Sequence, residues 1–268
     1  MFGEFEGEQP MTTVIVHRDA DTLAGAVAAR LVTRLVDAQA ATGSASVVLT
    51  GGGVGIATLR ALAAMPAHDA IDWRRLDVWW GDDRFVPADD PDRNEKQARE
   101  ALLDKVPLDP SRVHAMPPSD GAYGDDPEAA AQAYAKALAA ATRPEDHGIA
   151  PSFDVVLLGV GPDGHVASLF PERPALHETE RAAVAVRGAP KPPPTRISLT
   201  MPAIRNAREV WLLVAGKEKA PAVRMALSGA GWVQIPAAGA QGRSRTLWLL
   251  DRAAASEVPT SLTRIASP

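Results

Sequence analysis

A chain of 268 residues, 46% hydrophobic and 23% charged, has the composition of a globular protein with room for one large α/β domain, or two of about 150 residues. It contains no cysteine, which excludes disulfides, thiolate nucleophiles, iron–sulfur clusters and cysteine-based zinc sites, and fits a reducing compartment. A formal net charge of −5 argues against a nucleic-acid footprint, which needs clustered Lys and Arg, and allows a small anionic ligand only where cations gather locally.

The first residues, with Glu4, Glu6 and Glu8 and no basic stretch leading into an apolar one, read as a tail over 1–11 rather than a signal peptide. No apolar run is long enough to span a membrane, and the expected setting is the cytoplasm. Thr12 to His17 is β-branched and predicts a strand. Leu23, Val27, Leu31 and Leu35 then recur at helical spacing through an Ala-rich stretch. Ser46 to Thr50 is a second strand, followed by the glycine run Gly51 to Gly55 and a helix over Ile56 to Met65 that Pro66 ends. Leu76 to Trp80 is predicted as a strand, Arg93 to Lys105 as a helix, and Pro127 to Ala141 as a helix with proline in its first turn.

The clearest buried strand is Phe153 to Gly159, with Val155, Val156, Leu157 and Leu158 in succession. Arg196 to Leu199 and Glu209 to Ala215 read as strands, Lys219 to Leu227 as a helix, and Thr246 to Leu250 as the last strand. Such alternation predicts an α/β fold with a mainly parallel sheet, helices on both faces, and ligands at the C-terminal strand ends. The turn-rich segments Pro117 to Pro127 and Gly188 to Pro194 do not divide regions of different composition. Residues 12–268 therefore read as a single domain.

Four segments carry chemistry. Thr50-Gly51-Gly52-Gly53-Val54-Gly55 lies between a strand and a helix, where glycines let backbone N–H groups turn toward an anion and the helix adds its positive end. No Gly-Lys-Ser/Thr follows, so it is not a Walker A loop. Gly159-Val160-Gly161-Pro162-Asp163-Gly164-His165 matches the letter of a dinucleotide fingerprint, but Pro171 and Pro174 cut short the helix that fingerprint needs. The glycines instead bend the chain so that Asp163 and His165 project together, which suits a general base with a fixed ring. His17, His68, His114, His147 and His177 lack such surroundings and are read as structural or surface residues. Trp80-Gly81-Asp82-Asp83-Arg84-Phe85-Val86-Pro87 puts charge directly after a buried strand, and Lys191-Pro192-Pro193-Pro194-Thr195-Arg196 holds two cations on a proline-stiffened loop.

In this order, these blocks together with Val214-Ala215-Gly216-Lys217-Glu218-Lys219-Ala220 resemble the 6-phosphogluconolactonases of the pentose phosphate pathway, over nearly the whole chain from about Val14. The block around His165 is the most diagnostic. The Gly-Lys-Glu-Lys-Ala block is shared with the related glucosamine-6-phosphate deaminases. Two departures stand out: Asp83 where the family often has Glu, and a glycine loop without the Ser-Thr-Pro of many relatives.

The resemblance implies a Rossmann-like fold of the sugar-phosphate isomerase/deaminase type, hydrolysis of 6-phosphogluconolactone and no cofactor. The expected partner is a small-molecule sugar phosphate, with neither nucleic acid nor membrane, and the sequence leaves the oligomeric state open, a monomer being compatible with it. His165 is expected as general base with Asp163 beside it, and Thr50, Gly51, Gly52, Gly53, Arg84, Lys191, Arg196 and Lys219 as substrate and phosphate contacts. A metal-bound hydroxide is not expected: Asp163 and His165 supply two ligands where three are wanted, and a third would have to come from a distant loop, for example from Asp82 or Asp83. Two other readings compete. Deaminases carry a Glu five residues after the motif His, where this chain has Phe170. A non-catalytic sugar-phosphate sensor would bring a DNA-binding region for which the single assigned domain leaves no room.

Overall fold

The computed structural model describes residues 11–146 and 148–265. The expected tail, apart from Met11, and His147 lie outside the described residues.

β1 (Met11–His17) leads into α1 (Ala20–Thr42), whose buried stripe runs through Leu23, Val27, Leu31 and Leu35. Asp19 caps α1 by accepting from Thr22 N at 2.7 Å, and Gly43, at φ 81°, ends it in the left-handed conformation that glycine adopts without strain. β2 (Ala45–Leu49) is followed by α2 (Gly52–Ala64). The glycine run is therefore the cap and first turn of the helix rather than a loop ahead of it.

β3 (Leu76–Trp80) is followed at once by the three-residue strand β4 (Asp82–Arg84), a segment too short and too charged to show in a hydrophobic pattern. α3 (Asn94–Ala101) stops before the expected Lys105, and a 3₁₀ turn over Leu103–Lys105 continues it. α4 (Pro127–Ala141) has the predicted bounds, with Asp126 accepting from Glu128 N and Ala129 N at 3.0 and 3.2 Å. β5 (Val155–Gly159), β6 (Ala183–Val186), β7 (Arg196–Leu199), α5 (Met201–Arg205), β8 (Glu209–Val214), α6 (Ala220–Leu227), α7 (Pro236–Gly239), β9 (Arg245–Asp251) and β10 (Thr263–Ile265) complete the order.

Seven strands form one sheet in the order β10-β1-β9-β8-β5-β2-β3, parallel at every pairing and flanked by helices. β5, β8 and β9 are buried along nearly their whole length, which is why they read as continuous apolar runs. On the outer edge of β3, the Tyr134 hydroxyl takes the place of a further strand: it accepts from Trp80 N at 3.0 Å and donates to Trp80 O at 3.2 Å. Trp79 packs on Tyr134 and Phe153 with ring centroids 5.8 and 6.0 Å apart, anchoring α4 to that edge.

The expectation of strand at Arg196 to Leu199 holds, but β7 belongs to a second, antiparallel sheet in the order β4-β7-β6. The large sheet changes direction at β2. The chain leaves β2 for β3 on one side and later returns to β5 on the other, so the connections after β2 and β5 diverge and open a crevice at their C-terminal ends.

Candidate active site

A cavity of about 230 Å³ occupies that crevice, lined by Thr50, Gly51, Gly52, Arg84, His165, Lys191, Arg196 and Lys219 among others. Of the residues expected at the site, Gly53 and Asp163 do not line it. Gly53 lies one residue further into α2, and Asp163 stands behind His165. The histidines read as structural lie elsewhere among the described residues, as His114 does, stacked on Trp79 at 3.8 Å. A larger cavity of about 430 Å³ opens at the N-terminal strand ends, where Asp77 is already paired with Arg112 at 2.7 Å and Asp154 accepts from Ser46 N at 2.9 Å.

Thr50 ties the two strand ends together, its Oγ1 accepting from Gly159 N at 3.2 Å. Gly51 then caps α2 with no side chain to satisfy the first N–H groups, and Gly52 has φ 82°. These donors and the positive end of the helix are presented to whatever anion enters the cavity. A side chain at Gly51 would collide with Asn94, whose Oδ1 lies 1.9 Å from where a Cβ would stand.

The turn after β5 holds His165. Gly161 N donates to His165 O and Gly164 N to Gly161 O, both at 2.9 Å, and the tight return brings His165 Nδ1 to 2.5 Å from Asp163 Oδ1. In the neutral tautomer that donates from Nδ1 to this carboxylate, Nε2 keeps its lone pair. Burial alone would raise the Asp163 carboxyl, but the hydrogen bond and charge of His165 outweigh it and hold the carboxyl down at about 2. Phe170 lies against the imidazole with ring centroids 4.4 Å apart, so the ring is fixed on one side by a carboxylate and on another by an aromatic ring.

Cations form the opposite wall. β4 and β7 pair Asp82 with Ser198, Asp83 with Ile197 and Arg84 with Arg196, so alternation puts Asp82, Arg84 and Arg196 on the cavity side and turns Asp83 away. Arg84 is oriented by Asn94 Oδ1 at 2.8 Å and Asp92 O at 2.6 Å, while its Nε has no partner among the described residues. Lys191 and Lys219 have no hydrogen-bond or ion-pair partner for their ammonium groups among the described residues. Burial, reinforced by the charge of Lys191, pulls Lys219 below the usual lysine range. Paired cations would offer an anion little; these are unpaired.

Asp83 is 1% exposed and accepts from Arg84 N, Asn94 N and Glu95 N at 2.8, 2.7 and 3.2 Å, with Arg93 at 3.4 Å. It caps the start of α3 and so sets Asn94. Burial pushes its carboxyl up to about 6, against the pull of Arg93 and these N–H groups. Asn94 and Ser168 are residues that sequence reasoning missed. Asn94 orients Arg84 and donates from Nδ2 to Asp82 O at 2.9 Å, and Ser168 Oγ donates to Asp82 Oδ2 at 2.6 Å. Neither carries a local sequence signal, because their partners come from other elements.

At the switch point of this doubly wound sheet His165, backed by Asp163, faces the ammonium groups of Lys191 and Lys219, which have no partner among the described residues. Residues 18–248 match the family described as glucosamine-6-phosphate isomerases/6-phosphogluconolactonase, and the chain belongs to that family. It is 68% identical over 249 residues to the 6-phosphogluconolactonase of Streptomyces coelicolor, covering 93% of this chain and 95% of the relative. It is 53% identical over 249 residues to that of Mycobacterium tuberculosis, covering 93% and 99%. Among solved structures, 6-phosphogluconolactonase from Trypanosoma brucei superposes with a TM-score of 0.81 at 29% identity, covering 94% of this chain and all of that one.

Proposed function

We propose that this chain, acting as one domain over residues 12–268, is a lactonase of the oxidative pentose phosphate pathway that hydrolyses 6-phospho-D-glucono-1,5-lactone to 6-phospho-D-gluconate. The observation that carries the reading is that His165, backed by Asp163 at 2.5 Å, lines the same cavity as Arg84, Lys191 and Lys219. Close homology to named lactonases supports it. The proposed setting is the cytoplasm, which a chain without cysteine suits. No helix among the described residues is long and apolar enough to cross a membrane.

In the proposed mechanism the N–H groups of the Gly51–Gly52 turn and the cations Arg84, Lys191 and Lys219 grip the phosphate, with Arg196 adding its charge to the same wall. Binding energy from this remote group holds the lactone carbonyl beside His165. Nε2 takes a proton from water as its oxygen attacks C1, and Asp163 stabilises the imidazolium that forms. The C1–O5 bond then breaks, the imidazolium returns the proton to O5, and the carboxylic acid product ionises. General-base assistance of this kind is worth roughly 10² to 10⁴ in rate. A deaminase reading is not favoured, since the side chain against His165 at the relevant position is the Phe170 ring and not a carboxylate.

The test is the rate of 6-phosphogluconolactone loss with and without the protein. A rate no greater than spontaneous hydrolysis would sink the reading.

A further inference from the structure

Arg196 lines the cavity, yet its side chain is nearly buried and its donors are directed at the protein. Nε donates to Pro193 O at 3.1 Å, Nη2 to Lys191 O at 2.9 Å and Nη1 to Ser168 Oγ at 3.5 Å, with the Asp82 carboxylate 3.8 Å from Nη1. Asp82 is itself fixed by the Ser168 hydroxyl, and Ser168, fully buried, is held through its N–H by Ser198 Oγ at 3.1 Å. One planar guanidinium thus ties the carbonyls of residues 191 and 193 to a buried Asp82–Ser168 pair. Lys191 is the reverse case: exposed, on a loop, with an unpaired ammonium.

We infer that Arg196 is a positioning residue, which holds the backbone of Lys191 and Pro193 against Asp82 and Ser168 so that Lys191 is presented to the substrate phosphate, instead of gripping the phosphate itself. A side chain that must grip an anion keeps donors free, as Lys219 keeps its ammonium and as Arg84, held through Nη1 alone, keeps Nη2 among the described residues. Arg196 has directed its donors to carbonyl oxygens and to a buried acid. Fixing the loop beforehand removes the ordering entropy that a mobile Lys191 would lose on binding. The inference rests on the lactonase reading, because it assigns a role within that site.

The experiment compares the parent with Arg196→Lys, Lys191→Ala and the double variant. It reads KM for 6-phosphogluconolactone, KM for unphosphorylated gluconolactone, and Kd for 6-phosphogluconate by calorimetry. Lysine keeps the positive charge but cannot hold two carbonyls at once. Arg196→Lys should therefore raise KM and Kd for the phosphorylated compounds by roughly tenfold, about the worth of one charge-assisted hydrogen bond, and leave the unphosphorylated lactone unaffected. In the double variant the loss should stay within about twofold of Lys191→Ala alone, since both changes remove one contact.

Parent-like affinity in Arg196→Lys, or a double variant whose loss equals the product of the two singles, would overturn the inference. Should Arg196→Lys fail to fold, Ser168→Ala keeps both charges and removes only the hydroxyl that fixes Asp82. A Kd increase that disappears in the Lys191→Ala background supports the clamp, and an unchanged Kd refutes it. A parent that binds 6-phosphogluconate but opens no lactone would defeat the lactonase reading while the Kd comparison still decided the role of Arg196. A parent that binds neither compound overturns both.

Discussion

Arg84 and Arg196 stand directly opposite each other across β4 and β7, two like charges on one face of a short antiparallel ladder. Cross-strand like charges destabilise a sheet by a few tenths of a kcal/mol to about 1 kcal/mol, so stability has been given up to concentrate cations at the cavity. Arg84→Met, which keeps the aliphatic stem, is therefore expected to leave urea-unfolding stability within about 0.5 kcal/mol of the parent, or above it. The same change should weaken 6-phosphogluconate binding by roughly 1.5 to 3 kcal/mol, the worth of a charge-assisted hydrogen bond. A large loss of stability with intact binding would make Arg84 a structural residue.

His165→Ala should lower kcat for the lactone by at least about 10²-fold, with KM changed little, because in the proposed mechanism this side chain acts on the water and not on the phosphate. Steady-state kinetics on a variant with parent-like circular dichroism measures this. Near-normal turnover would remove His165 from the mechanism.

The Asp163 carboxyl is held at about 2, below its ordinary value of 3.8, so the unfolded chain binds more protons there than the native state does. Its contribution to stability is full above pH 4 or so and is lost as the pH falls toward 2. Asp163→Asn should accordingly flatten the fall in denaturant midpoint over that acid window. It should also lower turnover at neutral pH, where the imidazole loses its orienting acceptor. If the acid limb of the stability curve is unchanged, the pair contributes nothing to the fold.

Gly161→Ala would set a methyl carbon 2.0 Å from His165 Nδ1 and 2.5 Å from Asp163 Oδ1. The two side chains cannot stay together around it. Turnover should fall about as far as in His165→Ala, roughly 10²-fold, with binding of 6-phosphogluconate preserved. Parent-like kcat in this variant would mean that the observed His165–Asp163 contact is not needed.

Arg93 is 2% exposed and lies 3.4 Å from the buried Asp83 carboxylate. Arg93→Met leaves that carboxyl without its cation, and the expected loss is about 3 to 5 kcal/mol by urea unfolding. Asp83→Asn in the same chain should recover part of it. No recovery would show that the cost arises from packing around Arg93 and not from the unpaired acid.

No group of three or more His, Cys, Asp and Glu capable of holding a metal ion occurs among the described residues. Exhaustive chelation, with residual metal measured in the same sample, should leave turnover unchanged. Loss that zinc restores would replace the histidine base by a metal-bound hydroxide.

Much of this was legible in the chain itself. Strands buried on both faces must be apolar throughout, so Val155 to Leu158 and Leu76 to Trp80 announced themselves, and the alternation with α1 and α4 pointed to a parallel sheet. The neighbours His165 and Asp163 were visible for a related reason: their contact spans two residues of one turn and is made by local glycines.

What tertiary structure decided is what depends on a distant partner. β4 has no hydrophobic pattern and exists because β7 pairs with it, more than a hundred residues later. That register sends Asp82 and Arg84 toward the cavity and Asp83 into the core, and a slip of one residue would exchange them. Asn94 and Ser168 enter the site only through Asp83 and Asp82, and Arg196 finds carbonyls of its own loop and a carboxylate from β4 before it meets a ligand. Local periodicity carries the sheet because burial acts on each strand separately, whereas the face a charged side chain presents is set by pairing energy between segments far apart in sequence.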